Sequence, residues 1–151
     1  MNNQVLIIIA AFLFAVVLFS CNTNKENKNK AEFKQLTKQD IKNKKLKNYK
    51  FLNGMRQDKY FPGFLVDKCE RILIELCLNI EEQKPKSLNE LYKLTHGATN
   101  EINELQDEFY KNDSEIETAA REIIAMDFYF IAQAYSFSAA DVEELIATRD
   151  W

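Results

Sequence analysis

Ser114-Glu115-Ile116-Glu117-Thr118-Ala119-Ala120-Arg121-Glu122-Ile123-Ile124-Ala125-Met126-Asp127-Phe128-Tyr129-Phe130-Ile131-Ala132-Gln133-Ala134 is the stretch whose reading decides the fold. Ile116, Ala120, Ile123, Ile124, Ile131 and Ala134 recur at the spacing of one helical face. Ser114 stands three before Glu117, the spacing of a capping box. Met126 to Ile131 is apolar nearly all round, so this helix is expected to be central. Working back, Lys111-Asn112-Asp113 reads as a turn. Before it Leu91, Thr95, Ala98, Ile102, Leu105 and Phe109 alternate steps of four and three, a seam for a second helix. Ser87 and Glu90 repeat the capping-box spacing at its start. Lys84-Pro85-Lys86 breaks it from an earlier helix that begins after Phe61-Pro62-Gly63 and runs to about Gln83, with Leu65, Cys69, Ile72, Leu73, Leu76 and Ile80 inward. Asn53-Gly54 reads as a turn. Working forward, Ser136-Phe137-Ser138 ends the central helix. Ser138 is placed to cap a fourth, with Asp141 at its third position and Phe137 stapled onto Val142. Leu145, Ile146 and Trp151 would dock it. The expected fold is all-α: a small antiparallel helical bundle over 51–151 with three long helices and a short C-terminal one. The chain's 3 Gly and 2 Pro agree, because a sandwich or barrel needs many turns.

The first segment reads as an address. Val5 to Phe19 is an unbroken apolar run, roughly 22 Å long as a helix and short of the ~30 Å hydrocarbon core. It ends in Leu18-Phe19-Ser20-Cys21, which resembles the bacterial lipobox. That resemblance implies cleavage before Cys21 and a diacylglyceryl group on its thiol. Residues 1–20 are then a signal peptide and 21–50 a lipidated cysteine with a lysine-rich tether. Met1-Asn2-Asn3-Gln4 lacks Lys and Arg, so the competing reading is an uncleaved inner-membrane anchor with a cytoplasmic domain.

Charge is divided along the chain. The net charge of -3 conceals a basic tether and an acidic domain, the latter with ten Lys+Arg against twenty Asp+Glu over 51–151. An acidic domain repels phosphate backbones, so nucleic acid is not an expected partner. A basic tether beside a lipid would be drawn to anionic headgroups.

Cys69 and Cys77 lie on one helix about 12 Å apart, too far for a disulfide, and read as buried thiols. There is no Gly-rich phosphate loop, Cys-x-x-Cys, His-Glu-x-x-His or Gly-x-Ser-x-Gly pattern. Lys93 stands three before His96, so the Glu-x-x-His di-iron pattern is absent too. No metal or cofactor is expected.

Candidate ligand-binding residues are His96, Tyr92 and Asn103 on one flank of the second helix, with Thr99 and Tyr110 beside them, and Asp127 on the third. His96 is the sole histidine and has the one side chain that ordinarily titrates near neutrality. Asp127 falls inside the buried stripe, where a carboxylate needs a partner or a raised pKa. Arg121, Arg71, His96 or a tyrosine hydroxyl such as Tyr92 would serve. An arginine or a set of backbone donors would make Asp127 structural, the expected outcome; His96 as its partner would make a dyad. Glu101, Glu104 and Glu108, and Glu115, Glu117 and Glu122, read as solvated surface.

From Tyr49 to Trp151 the chain resembles a bacterial family of small proteins carrying a domain of unknown function (5713). The resemblance is carried by Phe51-Leu52-Asn53-Gly54-Met55, Tyr60-Phe61-Pro62, Leu91-Tyr92-Lys93-Leu94-Thr95-His96, Ser114-Glu115-Ile116-Glu117-Thr118-Ala119-Ala120-Arg121-Glu122 and Glu144-Leu145-Ile146-Ala147-Thr148-Arg149-Asp150-Trp151. It implies no activity, cofactor or partner. It implies Ala where this chain has Gly97, a change that loosens the second helix by roughly 1 kcal/mol. The export signal is a second departure. The expected function is a non-enzymatic binding or protein-interaction module of the bacterial envelope, held to the membrane through lipid on Cys21. The alternative is a small enzyme or metal-binding protein using His96 with acidic partners such as Asp127, and the two differ in whether those residues converge.

Overall fold

The computed structural model describes residues 36–151; the apolar run, Ser20-Cys21 and the lysine-rich stretch as far as residue 35 lie outside the described residues. After a 3₁₀ turn at Lys38–Asp40 come α1 (Lys44–Lys47), α2 (Asn53–Gln57), α3 (Gly63–Gln83), α4 (Leu88–Asn103), α5 (Gln106–Tyr110), α6 (Thr118–Ala134) and α7 (Val142–Leu145). No strand occurs among the described residues. The three long helices and the short last one are those the periodicity predicts. None of the described helices is long and apolar enough to cross a membrane.

Along α3, Leu65, Val66, Cys69, Ile72, Leu73, Leu76, Cys77 and Ile80 are buried at helical spacing. The helix stops at Lys84, which turns left-handed (φ 51°) with its N–H on the Ile80 carbonyl; Pro85 follows and cannot continue it. Both cysteines are free and buried, and burial pushes each thiol up to about 12. Ser87 Oγ accepts from the Glu90 N–H at 3.3 Å, while the Glu90 carboxylate reaches back to the Lys86 N–H, one residue earlier than a capping box requires. In α4, Leu91, Thr95, Ala98, Thr99 and Ile102 are buried, so Thr99 belongs to the core face and not to the His96 flank. At one end of α6 the Tyr135 hydroxyl meets α3 at Cys77 and Glu81. Toward its other end Ile123 touches Gly54 of α2, and α2 is tied to early α3 by Arg56 pairing with Asp67 and Glu70. The long helices therefore run up, down and up.

Five local expectations are corrected. The second helix does not run unbroken to Phe109; it tightens at Glu104-Leu105, with the Leu105 N–H on Ile102 O, and resumes as α5. The turn brings Phe109 into the core and Glu108 to Lys68 at 2.5 Å. The Ser114–Glu117 capping box is not formed: the Ser114 N–H bonds Phe109 O, its buried hydroxyl has no partner among the described residues, and α6 starts only at Thr118. Asp141, not Ser138, caps α7, accepting from the Glu144 N–H at 2.9 Å. Met126 is 55% exposed, so α6 has one open edge and is not enclosed all round. Asn53-Gly54 begins α2 instead of forming the turn. The left-handed residue is Leu52 (φ 55°), and Gly54 serves close approach, since a Cβ there would lie 2.7 Å from Ile123 Cδ1.

The largest correction concerns the tether. Residues 36–151 form one compact unit, and within it the stretch from Leu36 to Lys50 is folded. Ile41 and Leu46 are completely buried, and Asn43 caps α1 from its own side chain. These two apolar residues, five apart with a cap between them, suffice to dock a one-turn helix that has no periodicity of its own to announce it.

Gly97 is exposed, and a Cβ at that position would meet nothing within 4 Å. Gly97→Ala should therefore stabilise the domain by about 1 kcal/mol through the lower entropy of the unfolded chain. Urea titration should show a raised midpoint at unchanged slope.

Candidate functional site

The polar residues singled out on α4 face the C-terminal segment. Tyr92 stacks on His96 with ring centroids 6.2 Å apart, as side chains four apart on a helix can. The Tyr92 hydroxyl accepts the Asp141 N–H at 3.0 Å. His96 Nε2 lies 2.7 Å from the Glu144 carbonyl; a carbonyl only accepts, so this nitrogen carries the proton. The Thr148 hydroxyl donates to the His96 carbonyl, and Asn103 Nδ2 donates to Thr148 O at 2.9 Å. Gln106 extends the row to Asp150. Tyr92, His96 and Asn103 thus converge as the rungs that fasten residues 141–150 along α4. Asn103 Oδ1 and Trp151 Nε1 are buried at the far end of this row and have no partner among the described residues. His96→Ala should remove one rung, costing about 1 kcal/mol and loosening α7. Amide exchange should accelerate at Leu145 and Ala147 and not in α3.

Asp127 belongs to a different network. It is 3% exposed. Oδ1 accepts from the Tyr49 hydroxyl at 2.8 Å and Oδ2 from the Leu52 N–H at 2.7 Å. Leu52 is the left-handed residue that precedes α2, so α6 supplies the cap that α2 lacks in its own sequence. Burial is the main cause that lifts the Asp127 carboxyl to about 6, against the two donors that favour its ionised form. Tyr49 stacks on Phe130 at 4.0 Å and edges onto Phe51. Its hydroxyl is pushed up to about 12, chiefly by burial and then by its bond to Asp127. Lys38 donates to the Tyr49 carbonyl, lies 5.7 Å from the Phe51 ring centroid and is 3.9 Å from Glu70. Neither Arg121, Arg71, His96 nor Tyr92 is the partner of Asp127. A tyrosine and a backbone donor are, and they share no residue with the His96 row.

A third arrangement was not foreseen. Glu81, in the last turn of α3, accepts from the Lys42 and Asn43 N–H groups at 2.8–3.0 Å and from the Tyr135 hydroxyl at 2.9 Å. Asn43 Nδ2 donates to Ala134 O, closing the end of α6. Over this knot lies an open groove of about 590 Å³ lined by Lys42, Asn43, Ile80, Glu81, Lys84, Pro85, Tyr135 and Phe137. Two left-handed residues flank it, Lys84 and Ser136 (φ 72°). One signal in the sequence pointed here: α3 ends in Glu81-Glu82 with no basic residue in its last turn. Carboxylates at a helix C-terminus oppose the dipole unless donors come from elsewhere.

Among the described residues no group of three or more His, Cys, Asp or Glu side chains is placed to hold a metal ion. Residues 45–151 match the model of DUF5713, described as a family of unknown function. No curated protein and no solved structure matches the chain.

Proposed function

The chain belongs to DUF5713, a family of unknown function, and from that premise we propose that it is a non-enzymatic binding or protein-interaction module, tethered to the bacterial envelope membrane through lipid on Cys21. One observation carries the reading. Tyr92, His96 and Asn103 are each spent on holding the C-terminal segment against the bundle and Asp127 on holding the start of α2, while the groove beside Lys42 and Lys84 is open and lined in part by apolar side chains. Ligand sites are concave and apolar with a few polar groups at fixed positions. The alternative of a small enzyme needs His96 and Asp127 on one substrate, and their separate networks argue against it.

The tether is tested by intact-mass analysis of protein extracted from native membranes. The expected species begins at Cys21 and carries an acyl mass; an intact Met1 or an unmodified Cys21 thiol overturns it. The module is tested by NMR titration of the folded domain with fractionated envelope extract. Shifts clustered on Lys42, Lys84 and Phe137 support the groove. Shifts shared by His96 and Asp127 favour the enzyme.

A further inference from the structure

We propose that the lysines of the docked N-terminal segment and of the turn between α3 and α4 form one fixed basic face that seats the domain on an anionic lipid surface, with the groove against the headgroups. This deepens the reading of the chain as a membrane-side module by naming the surface it faces.

The face is built by packing. Because Ile41 and Leu46 are completely buried, Lys42, Lys44 and Lys45 stand exposed beside them, with Lys47 half-buried and Lys50 exposed a little further on. Among the described residues none of their ammonium groups pairs with a carboxylate. Lys38 of the same segment is held by Glu70, and the other described basic side chains that pair, Arg56, Lys68, His96 and Arg149, lie outside it. Lys42 and Lys84 line the same groove, which joins this segment to exposed Lys84 and Lys86.

Carboxylates are near, but three of four are engaged. Glu90 accepts from the Lys86 N–H. Glu81 takes up two backbone donors and a tyrosine, and Asp40 accepts from Thr37. Glu82 is exposed and opposes the field. Pro85 and Phe137, half-buried in the groove wall, offer apolar contact at headgroup depth.

The remainder of the domain is acidic, with twice as many Asp+Glu as Lys+Arg over 51–151. That excess turns the domain more than it repels it. Fields in physiological salt decay within about 8 Å, so a membrane senses chiefly the charges of the face it touches. A duplex nucleic acid shares the phosphate charge but wraps more of the surface and meets the acidic remainder.

The test uses residues 36–151, whose core closes within that span and which lacks Cys21, so its outcome is independent of lipid attachment. Co-sedimentation with vesicles of phosphatidylglycerol and phosphatidylcholine at about 0.1 M ionic strength, where fields decay within about 10 Å, should pull the domain down. Vesicles of phosphatidylcholine alone should not. Sodium chloride should release it, and millimolar inorganic phosphate should not compete. Lys42→Gln/Lys44→Gln/Lys45→Gln should lower the partition coefficient on the order of a hundredfold, at about fivefold per lysine, with the circular dichroism unchanged. Lys59→Gln/Lys111→Gln should bind as the parent does. Binding without preference for phosphatidylglycerol, equal loss in both variants, displacement by inorganic phosphate, or equally tight capture by duplex DNA would each overturn the proposal. A native Cys21 found unmodified would overturn the tether and leave this face standing.

Discussion

Asp127→Ala should cost the domain about 3 kcal/mol at pH 4 and about 1 kcal/mol at pH 7.5, whereas Asp127→Asn should be close to neutral at pH 4 and more stable than the parent at pH 7.5. The alanine strands the buried Leu52 N–H, which no other group among the described residues reaches, and releases the Tyr49 hydroxyl; an unmet buried donor costs about 1–3 kcal/mol. Asparagine is nearly isosteric. Its Oδ1 can accept from Leu52, and its Nδ2 can donate to the Tyr49 oxygen, so both bonds survive with the roles at Tyr49 reversed.

The pH dependence follows from the direction of the Asp127 shift. Its folded value, about 6, lies above the ordinary 3.8. Between those values the folded state keeps a proton that the unfolded chain has released. The stability owed to this group is therefore complete below about pH 4 and is lost as the pH rises through about 6. The loss amounts to about 2 kcal/mol by pH 7.5, so a variant without the carboxylate gains that much relative to the parent over the same interval. Urea titrations of the three proteins at several pH values between 4 and 7.5 measure this. A pH-independent alanine penalty, or an asparagine variant as damaged as the alanine one, would show that the carboxylate is not the buried acceptor described. Glu70 adds to the upward shift, but its own contacts to Arg56 and Lys38 are retained in all three proteins, so it does not confound the comparison.

How much of this was legible in the sequence depends on whether the signal was periodic. The stripes of α3, α4 and α6 repeat over many residues, and the bundle could be read from them. Asp127 was legible as an anomaly, because a carboxylate on an apolar stripe is visible without coordinates. Its partners were not. Tyr49 lies 78 residues away, and Leu52 contributes a backbone N–H that its side chain does nothing to advertise. Of the flank read on the second helix, Tyr92, His96 and Asn103 do share a face, whereas Thr99 is buried in the core and Tyr110 lies exposed beyond the break. That this face is occupied by the end of the same chain depends on how α7 folds back, which no local pattern encodes. Ser114 and Ser138 stand at capping spacing and do not cap, because the left-handed turn at Asp113 (φ 54°) and the Asp141 carboxylate settle those helix starts differently. The N-terminal boundary was misread for a related reason. A one-turn helix held by Ile41 and Leu46 is too short to show a period, and its lysines look like a solvated linker.

That boundary yields the second large effect. A chain beginning at residue 36 should fold cooperatively, one beginning at 45 should fold with stability reduced by about 3 kcal/mol, and one beginning at 51 should not fold. The second start removes Ile41, whose burial is worth about 1.5–3 kcal/mol. It also strips Glu81 of its Lys42 and Asn43 donors and uncaps Ala134. Starting at 51 further removes Leu46, a second fully buried side chain, and Tyr49, with its stack on Phe130 and its bond to Asp127. The summed loss exceeds about 5 kcal/mol, the lower end of what a domain of this size possesses in total. Helical circular dichroism and urea titration of the three chains decide the matter. A chain from residue 51 that melts like the chain from residue 36 would mean that the segment from 36 to 50 only rests on the bundle. In that event the fixed basic face would lose its foundation as well, because α1 is what holds its lysines in place.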